Sequence, residues 1–208
     1  MLNDKAALRS RLLAARAALS PGQRQDAALA LAEHALTLLP VSLPSSPASL
    51  PAGVPPVVAG YVSVGAEPGT RALLDALRAR GARVLLPVLL PDNDLDWGHY
   101  RGAEHLERAG RGLLEPDGDR LGPEAVAGAR LVLLPGLAVD RRGVRLGRGG
   151  GSYDRVLARL ARGGGPDRAR LVTLLYDAEL LEDVPAEAHD RPVDAAVTPS
   201  GVHWFRPA

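Results

Sequence analysis

Short apolar runs separated by segments of helical spacing constrain this chain more than any other feature. Residues 57–62, 83–86, 131–134, 170–175 and 193–197 read as strands, the second stopped by Pro87, and residues 95–100 add another. Residues 69–80 suit a helix closed by Gly81, and residues 153–162 suit a second one. Strands that alternate with helices build a mostly parallel sheet covered on both faces. The expected fold class is therefore α/β, a three-layer αβα domain with a mostly parallel central sheet. Such sheets collect ligands beyond the carboxyl ends of their strands, so residues just after Val62 and Leu134 should face one crevice.

Two helices are expected ahead of the first strand. Residues 4–19 are amphipathic, with Leu8, Leu12, Ala15 and Leu19 as a core-facing stripe. Lys5, Arg9 and Arg16 form a second stripe about 60° away on a 3.6-residue turn, near the domain surface rather than in open solvent. Ser20-Pro21-Gly22-Gln23 combines a Ser cap, Pro at the first helical position and Gln three residues on, starting a helix that runs to about residue 39. Residues 40–56 are rich in Pro and Ser and lack periodicity. Two helices are too few for a core of their own, so this stretch reads as a surface insertion within a single domain spanning residues 1–208.

Composition removes several function classes. With no cysteine there is no thiol nucleophile, disulfide framework or thiolate metal site, and the five histidines show no paired metal spacing. A net charge of +1 argues against a nucleic-acid surface. No stretch approaches a membrane span, and charge at Asp4, Lys5, Arg9 and Arg11 argues against a signal peptide, so a cytoplasmic protein is expected. We also expect a monomer that acts on small molecules. Lys5 is the only lysine among 25 basic residues, which suits a position wanting a compact, mobile point charge. Aromatics are only 3%, so Tyr61, Trp97, Tyr100 and Tyr153 stand out as candidate walls for a flat ligand.

The segment Arg145-Leu146-Gly147-Arg148-Gly149-Gly150-Gly151-Ser152-Tyr153-Asp154 joins an apolar strand region to a helix. Exposed backbone N–H groups and guanidinium groups at one turn suit a polyphosphate, and Asp154 at the helix start suits a metal ion escorting it. A tight structural turn is the competing reading. Gly163-Gly164-Gly165-Pro166 is the internal contrast: it has no preceding strand and no carboxylate at a helix start, and reads as a linker. The segment is neither a Walker A sequence nor a G-x-G-x-x-G fingerprint.

Pro-Gly-Leu-Ala-Val-Asp at 135–140, followed by Leu-Gly-Arg-Gly-Gly-Gly-Ser-Tyr-Asp-Arg at 146–155, resembles the signature of the 5-formyltetrahydrofolate cyclo-ligase family, also called 5,10-methenyltetrahydrofolate synthetases. Lys5-Ala6-Ala7-Leu8-Arg9, Tyr61 with Glu67-Pro68, Gly112 to Pro116, and Val193-Asp194 resemble further family segments in the same order, so the resemblance covers nearly the whole chain. It implies ATP- and Mg2+-dependent closure of 5-formyltetrahydrofolate to 5,10-methenyltetrahydrofolate with release of ADP and phosphate. By position, it implies that Lys5 and Arg9 contact the ATP phosphates. Arg145, Gly147, Arg148, Gly149, Gly150, Gly151 and Tyr153 would complete the nucleotide cradle, with Arg148 and Lys5 taking catalytic roles. Val62, Glu67, Arg148 and Ser152 would meet the folate, Glu67 pairing with pterin N–H groups, and Asp154 and Asp194 would hold Mg2+.

This chain departs from the family pattern twice. Ser152 stands where many relatives carry an aromatic residue, and Gly150 where some carry lysine. The first implies weaker folate packing; the second passes any share of a central lysine to Arg148, Lys5 or the metal. Two other readings compete: a non-catalytic folate- or nucleotide-binding module, and a sugar-phosphate isomerase or deaminase-like enzyme on a similar scaffold. The joint presence of Lys5, Arg9, Asp154 and Asp194 separates the first reading from both.

Overall fold

The computed structural model describes residues 2–39, 54–163, 168–187 and 190–205. Residues 40–53 of the expected insertion, and most of the glycine linker, lie outside these. The described chain opens with helices α1 (Leu2–Ala18) and α2 (Pro21–Leu36). Then come β1 (Val57–Ala59), α3 (Arg71–Ala79), β2 (Arg83–Leu89), β3 (Leu95–His99), β4 (Leu106–Arg108) and β5 (Leu114–Pro116). The second half holds β6 (Leu131–Leu134), β7 (Ala138–Asp140), β8 (Arg145–Leu146), α4 (Ser152–Arg162), β9 (Arg170–Leu174), β10 (Leu180–Leu181), β11 (Ala195–Thr198) and β12 (Gly201–Trp204).

The main sheet has the order β12-β11-β9-β6-β1-β2-β3. Neighbours from β11 to β2 are parallel, and β12 and β3 close the edges antiparallel. Helices cover both faces, as a sheet of buried Val and Leu requires. On one face Leu31 of α2 and Leu73, Leu74 and Leu77 of α3 pack on Val58, Leu133 and Val172. On the other, Val156 and Leu157 of α4, with Val126, pack on Ala59, Val132 and Trp97. The fold is the three-layer α/β arrangement expected. No described helix is long and apolar enough to cross a membrane.

The cap of α2 forms as its sequence dictates: Ser20 Oγ accepts from Gln23 N–H at 3.2 Å and Gln23 Oε1 accepts from Ser20 N–H at 2.9 Å. Pro87, expected to stop a strand, lies inside β2. Arg83 N–H bonds to Pro56 and Leu85 C=O accepts from Gly60, so the odd positions of β2 face β1. The last pairing with β1 is at Leu85, so the N–H that Pro87 lacks falls beyond the reach of β1 and no ladder bond is lost.

A three-stranded sheet, β10-β7-β8, carries the glycine segment, and β4 and β5 form a hairpin. Helix α1 packs on the three-stranded sheet through Leu12 against Leu137, Ala138, Leu146 and Val184. Of the expected stripe, Leu12 is buried and Leu8 and Leu19 are half-buried, but the inner face also takes in basic residues and leaves out Ala15. Lys5 and Arg16 are buried, at 8% and 2% exposure, while Ala15 is exposed. Arg16 turns inward because the interior offers partners: Glu179 takes Nε and Nη2 at 2.6 and 2.8 Å, Gly136 C=O accepts at 2.7 Å, and the guanidinium lies over the Tyr176 ring.

Candidate active site

Beyond the carboxyl ends of β1 and β6 lies a cavity of about 580 Å³. Tyr61, Val62 and Glu67 after β1 form one wall, and Arg145 to Asp154 another. Lys5 and Arg9 enter from α1, with Glu187 and Asp190 beside them. Pro87, Leu89, Leu95, Leu113 and Leu114 make an apolar arm over the β2–β3 hairpin.

The glycine segment is shaped by where the backbone must turn. Gly149 (φ 93°) and Gly151 (φ 76°) occupy the left-handed region that a side chain disfavours. A Cβ on Gly149 would also meet the Arg9 guanidinium at 3.6 Å. Gly151 caps α4 without a side-chain acceptor. Among the described residues, no backbone N–H from Gly149 through Tyr153 bonds within the protein. Those donors lie at the positive end of the α4 dipole, an arrangement that suits an anion.

Cations surround them. Arg9 Nε donates to Gly147 C=O at 2.9 Å. Arg145 donates to Pro135 C=O at 2.9 Å and to Asp154 Oδ1 at 3.1 Å. Burial lowers the Arg145 pKa against the opposing pull of Asp154. Lys5 Nζ sits 3.0 Å from both Glu187 and Asp190. Desolvation pulls the Lys5 pKa down, but its hydrogen bonds and attraction to these two acids outweigh that and raise it, so it is a cation at neutral pH.

Arg148 Nη1 reaches across to Glu67 Oε1 at 3.1 Å, linking the two walls. Glu67 is fixed from its own side by Val64 N–H at 2.8 Å, and the loop it sits on is closed by reciprocal bonds between Ser63 and Thr70. Burial raises the phenol pKa of both Tyr61 and Tyr153, and the charge of Glu67 adds to it, so both stay neutral. Arg145 Nε and Tyr153 Oη are buried without a hydrogen-bond partner among the described residues.

Lys5, Arg9, Val62, Glu67, Arg145, Gly147, Arg148, Gly149, Gly150, Gly151, Ser152, Tyr153 and Asp154 therefore share one cavity, though the sequence separates them by up to 149 positions. Asp194 does not join them. It immediately precedes β11, at the amino ends of the parallel strands, the opposite end of the sheet from the crevice. Its carboxylate is held by Arg168 at 2.7 and 2.9 Å and by Leu171 N–H at 2.8 Å. The acid that does line the cavity is Asp190, four residues earlier, which the sequence reading passed over along with Glu187. Of the four aromatic candidates, Tyr61 and Tyr153 line the cavity. Trp97 is fully buried in the core, and Tyr100 bonds Asp75.

An α/β protein with a cavity of this kind beyond its strand ends is built as an enzyme acting on small molecules. The comparisons identify which. The family model described as the 5-formyltetrahydrofolate cyclo-ligase family matches residues 1–199, and the chain belongs to that family. It is 45% identical over 147 residues to the 5-formyltetrahydrofolate cyclo-ligase of Mycolicibacterium smegmatis, covering 68% of this chain and 73% of the relative. It is 31% identical to the Escherichia coli protein of the same name, over 90% of this chain and 96% of that one. A solved structure, the Aquifex aeolicus 5,10-methenyltetrahydrofolate synthetase, superimposes with a TM-score of 0.75 at 27% identity, covering 98% of this chain and 94% of that one.

Proposed function

We propose that this cavity holds ATP and 5-formyltetrahydrofolate together and closes the folate to 5,10-methenyltetrahydrofolate, releasing ADP and phosphate. The observation that carries the phosphate half is the run of unpaired N–H groups from Gly149 to Tyr153, ringed by Lys5, Arg9, Arg145 and Arg148. Family membership supplies the folate half.

A formamide oxygen is a poor leaving group. In the proposed reaction it attacks the γ-phosphorus, an O–P bond forms, the bridging P–O bond breaks, and ADP departs. The neighbouring aniline nitrogen then attacks the formyl carbon and loses its proton, and the C–O bond breaks to release phosphate. The protein supplies positioning and charge neutralisation. Lys5 and Arg9 hold the phosphates from α1, and Arg145 and the glycine N–H groups hold them from below. Arg148 moves from Glu67 to the transferring phosphoryl group, freeing the Glu67 carboxylate for pterin N–H donors. Val62 and Ser152 border the folate.

The donor set fits Mg2+. Among the described residues no group of three metal-ligating side chains occurs. Asp154 and Asp190 both lie in the cavity, and both act on the charge of Arg145. One or two carboxylates completed by phosphates and water is how Mg2+ is usually bound. Asp154 and Asp190 would hold it, and bound there it would neutralise charge on the phosphate oxygens.

The test is to mix protein, Mg·ATP and 5-formyltetrahydrofolate and follow the absorbance of the methenyl product. The expected result is a signal that requires ATP. A protein that binds both ligands and yields no ATP-dependent product would overturn the reading in favour of a binding module.

A further inference from the structure

We infer that Arg111 is a specificity residue that binds the glutamate carboxylates at the tail of the folate. This rests on the reaction proposed above. Arg111 lines the cavity but belongs to none of the segments that form the phosphate cradle. It sits in the turn between β4 and β5, beside Asn93 in the turn between β2 and β3, and donates to Asn93 Oδ1 at 3.2 Å. Among the described residues it has no carboxylate within ion-pair distance, whereas Lys5 has two and Arg145 and Arg148 have one each.

Its backbone makes the choice of arginine informative. Arg111 (φ 61°) and Asn93 (φ 64°) are the two described residues other than glycine with positive φ, and they bond to each other. Asparagine tolerates this conformation; arginine does so less readily. Gly110 and Gly112 flank Arg111, and a Cβ at either would meet nothing within 4 Å, so the turn is uncrowded and a third glycine would relax it. A strained, exposed cation kept where glycine would be easier points to a task for its side chain.

The cavity supplies the task. The C-terminal end of β6 leads to Pro135, whose carbonyl holds Arg145. The β2–β3 hairpin lies two to three strands further along the sheet, about 10–14 Å at the usual strand spacing. Between them run the apolar walls of Pro87, Leu89, Leu95, Leu113 and Leu114. A folate whose formyl group meets the γ-phosphate must lead its aminobenzoyl ring away from the nucleotide. Those walls suit that ring, and the ring ends in a glutamate carrying two carboxylates. A guanidinium at the end of an apolar slot is what such a tail requires.

The test compares wild type with Arg111→Gly on two ligands, 5-formyltetrahydrofolate and the tail-less 5-formyltetrahydropteroate. Calorimetry gives Kd for each, steady-state kinetics gives KM and kcat, and a thermal melt gives Tm. The expected result for the variant is Kd and KM for the full folate raised roughly tenfold, the size of one lost charged hydrogen bond. The KM for ATP stays the same and Tm is equal or higher. On the tail-less ligand the ratio of variant to wild type should shrink towards one. An equal weakening on both ligands, or a fall in Tm accompanied by a fall in kcat, would overturn the inference and leave Arg111 as a clamp between two turns. Binding decides this question and turnover decides the reaction itself, so each can fail without the other.

Discussion

Replacing Asp140 by asparagine removes a charge from the interior and changes almost nothing in shape. Asp140 is wholly buried. Its Oδ1 accepts from Arg142 N–H at 2.8 Å and Val144 N–H at 3.0 Å. Its Oδ2 accepts from Val184 N–H at 3.1 Å and from Arg142 Nε and Nη2 at 3.0 and 2.7 Å. An asparagine that keeps its oxygen on the first pair presents an NH₂ group to the second, where every neighbour is also a donor. Leaving Val184 N–H buried and unmet costs about 1–3 kcal/mol. Losing the pair with the half-exposed Arg142 adds about 1 kcal/mol. The total of about 2–4 kcal/mol corresponds to a Tm lower by about 4–16 °C in a protein of this size. Burial alone would raise the Asp140 pKa, but Arg142 and the backbone N–H groups outweigh it and hold it below the ordinary carboxylate value. A depressed folded pKa contributes stability that is complete above the unfolded pKa near ~3.9 and is lost as pH falls through the folded value. The gap between wild type and Asp140→Asn should therefore be constant from pH 8 to pH 5 and close below about pH 4. Urea unfolding across that range measures it. A loss below 1 kcal/mol at pH 7, or a gap undiminished in acid, would refute the reasoning. Turnover should weaken far less than on removal of Asp154, because Asp140 shapes the approach to Arg145 without lining the cavity.

Three further outcomes are expected. Asp154→Ala should abolish methenyl formation while leaving the protein folded, at a cost of about 1–3 kcal/mol in unfolding free energy, since among the described residues Asp154 pairs with the buried Arg145, which loses this carboxylate. Arg16→Met strands the buried Glu179 carboxylate and should cost about 3–5 kcal/mol in denaturant unfolding. Adding Glu179→Gln should recover part of that, and strictly additive losses would refute the coupling. Ser152→Tyr should lower the KM for 5-formyltetrahydrofolate by restoring an aromatic surface; an unchanged KM would show that Ser152 does not border the folate.

Much of the architecture was legible because it rests on local signals. The short apolar runs of β1, β6, β9 and β11, the cap at Ser20 and the glycine turn into α4 each carry their cause within a few residues. Pro87 misled because proline stops a strand only when its missing N–H was needed, and that depends on how far β1 extends alongside. Helix α1 misled for a related reason. A basic stripe reads as surface until an interior Glu179 exists to receive Arg16.

The choice between Asp190 and Asp194 is the sharpest example. Both acids stand in one short segment, Asp-Arg-Pro-Val-Asp, and nothing local separates a cavity residue from one locked to Arg168 at the opposite end of the strands. Only the direction of β11 decides, because a residue just before a parallel strand lies at the wrong end for a ligand. The sequence by itself determined the layered α/β class, the glycine turn into α4 and the family. Those depend on periodicity, on glycine's access to positive φ, and on motif order along the chain. The tertiary structure alone decided which acids meet Lys5, that Arg148 spans the cavity to Glu67, and that Arg111 lines the same cavity. Those pairings join distant positions, and only strand order and direction bring them within reach.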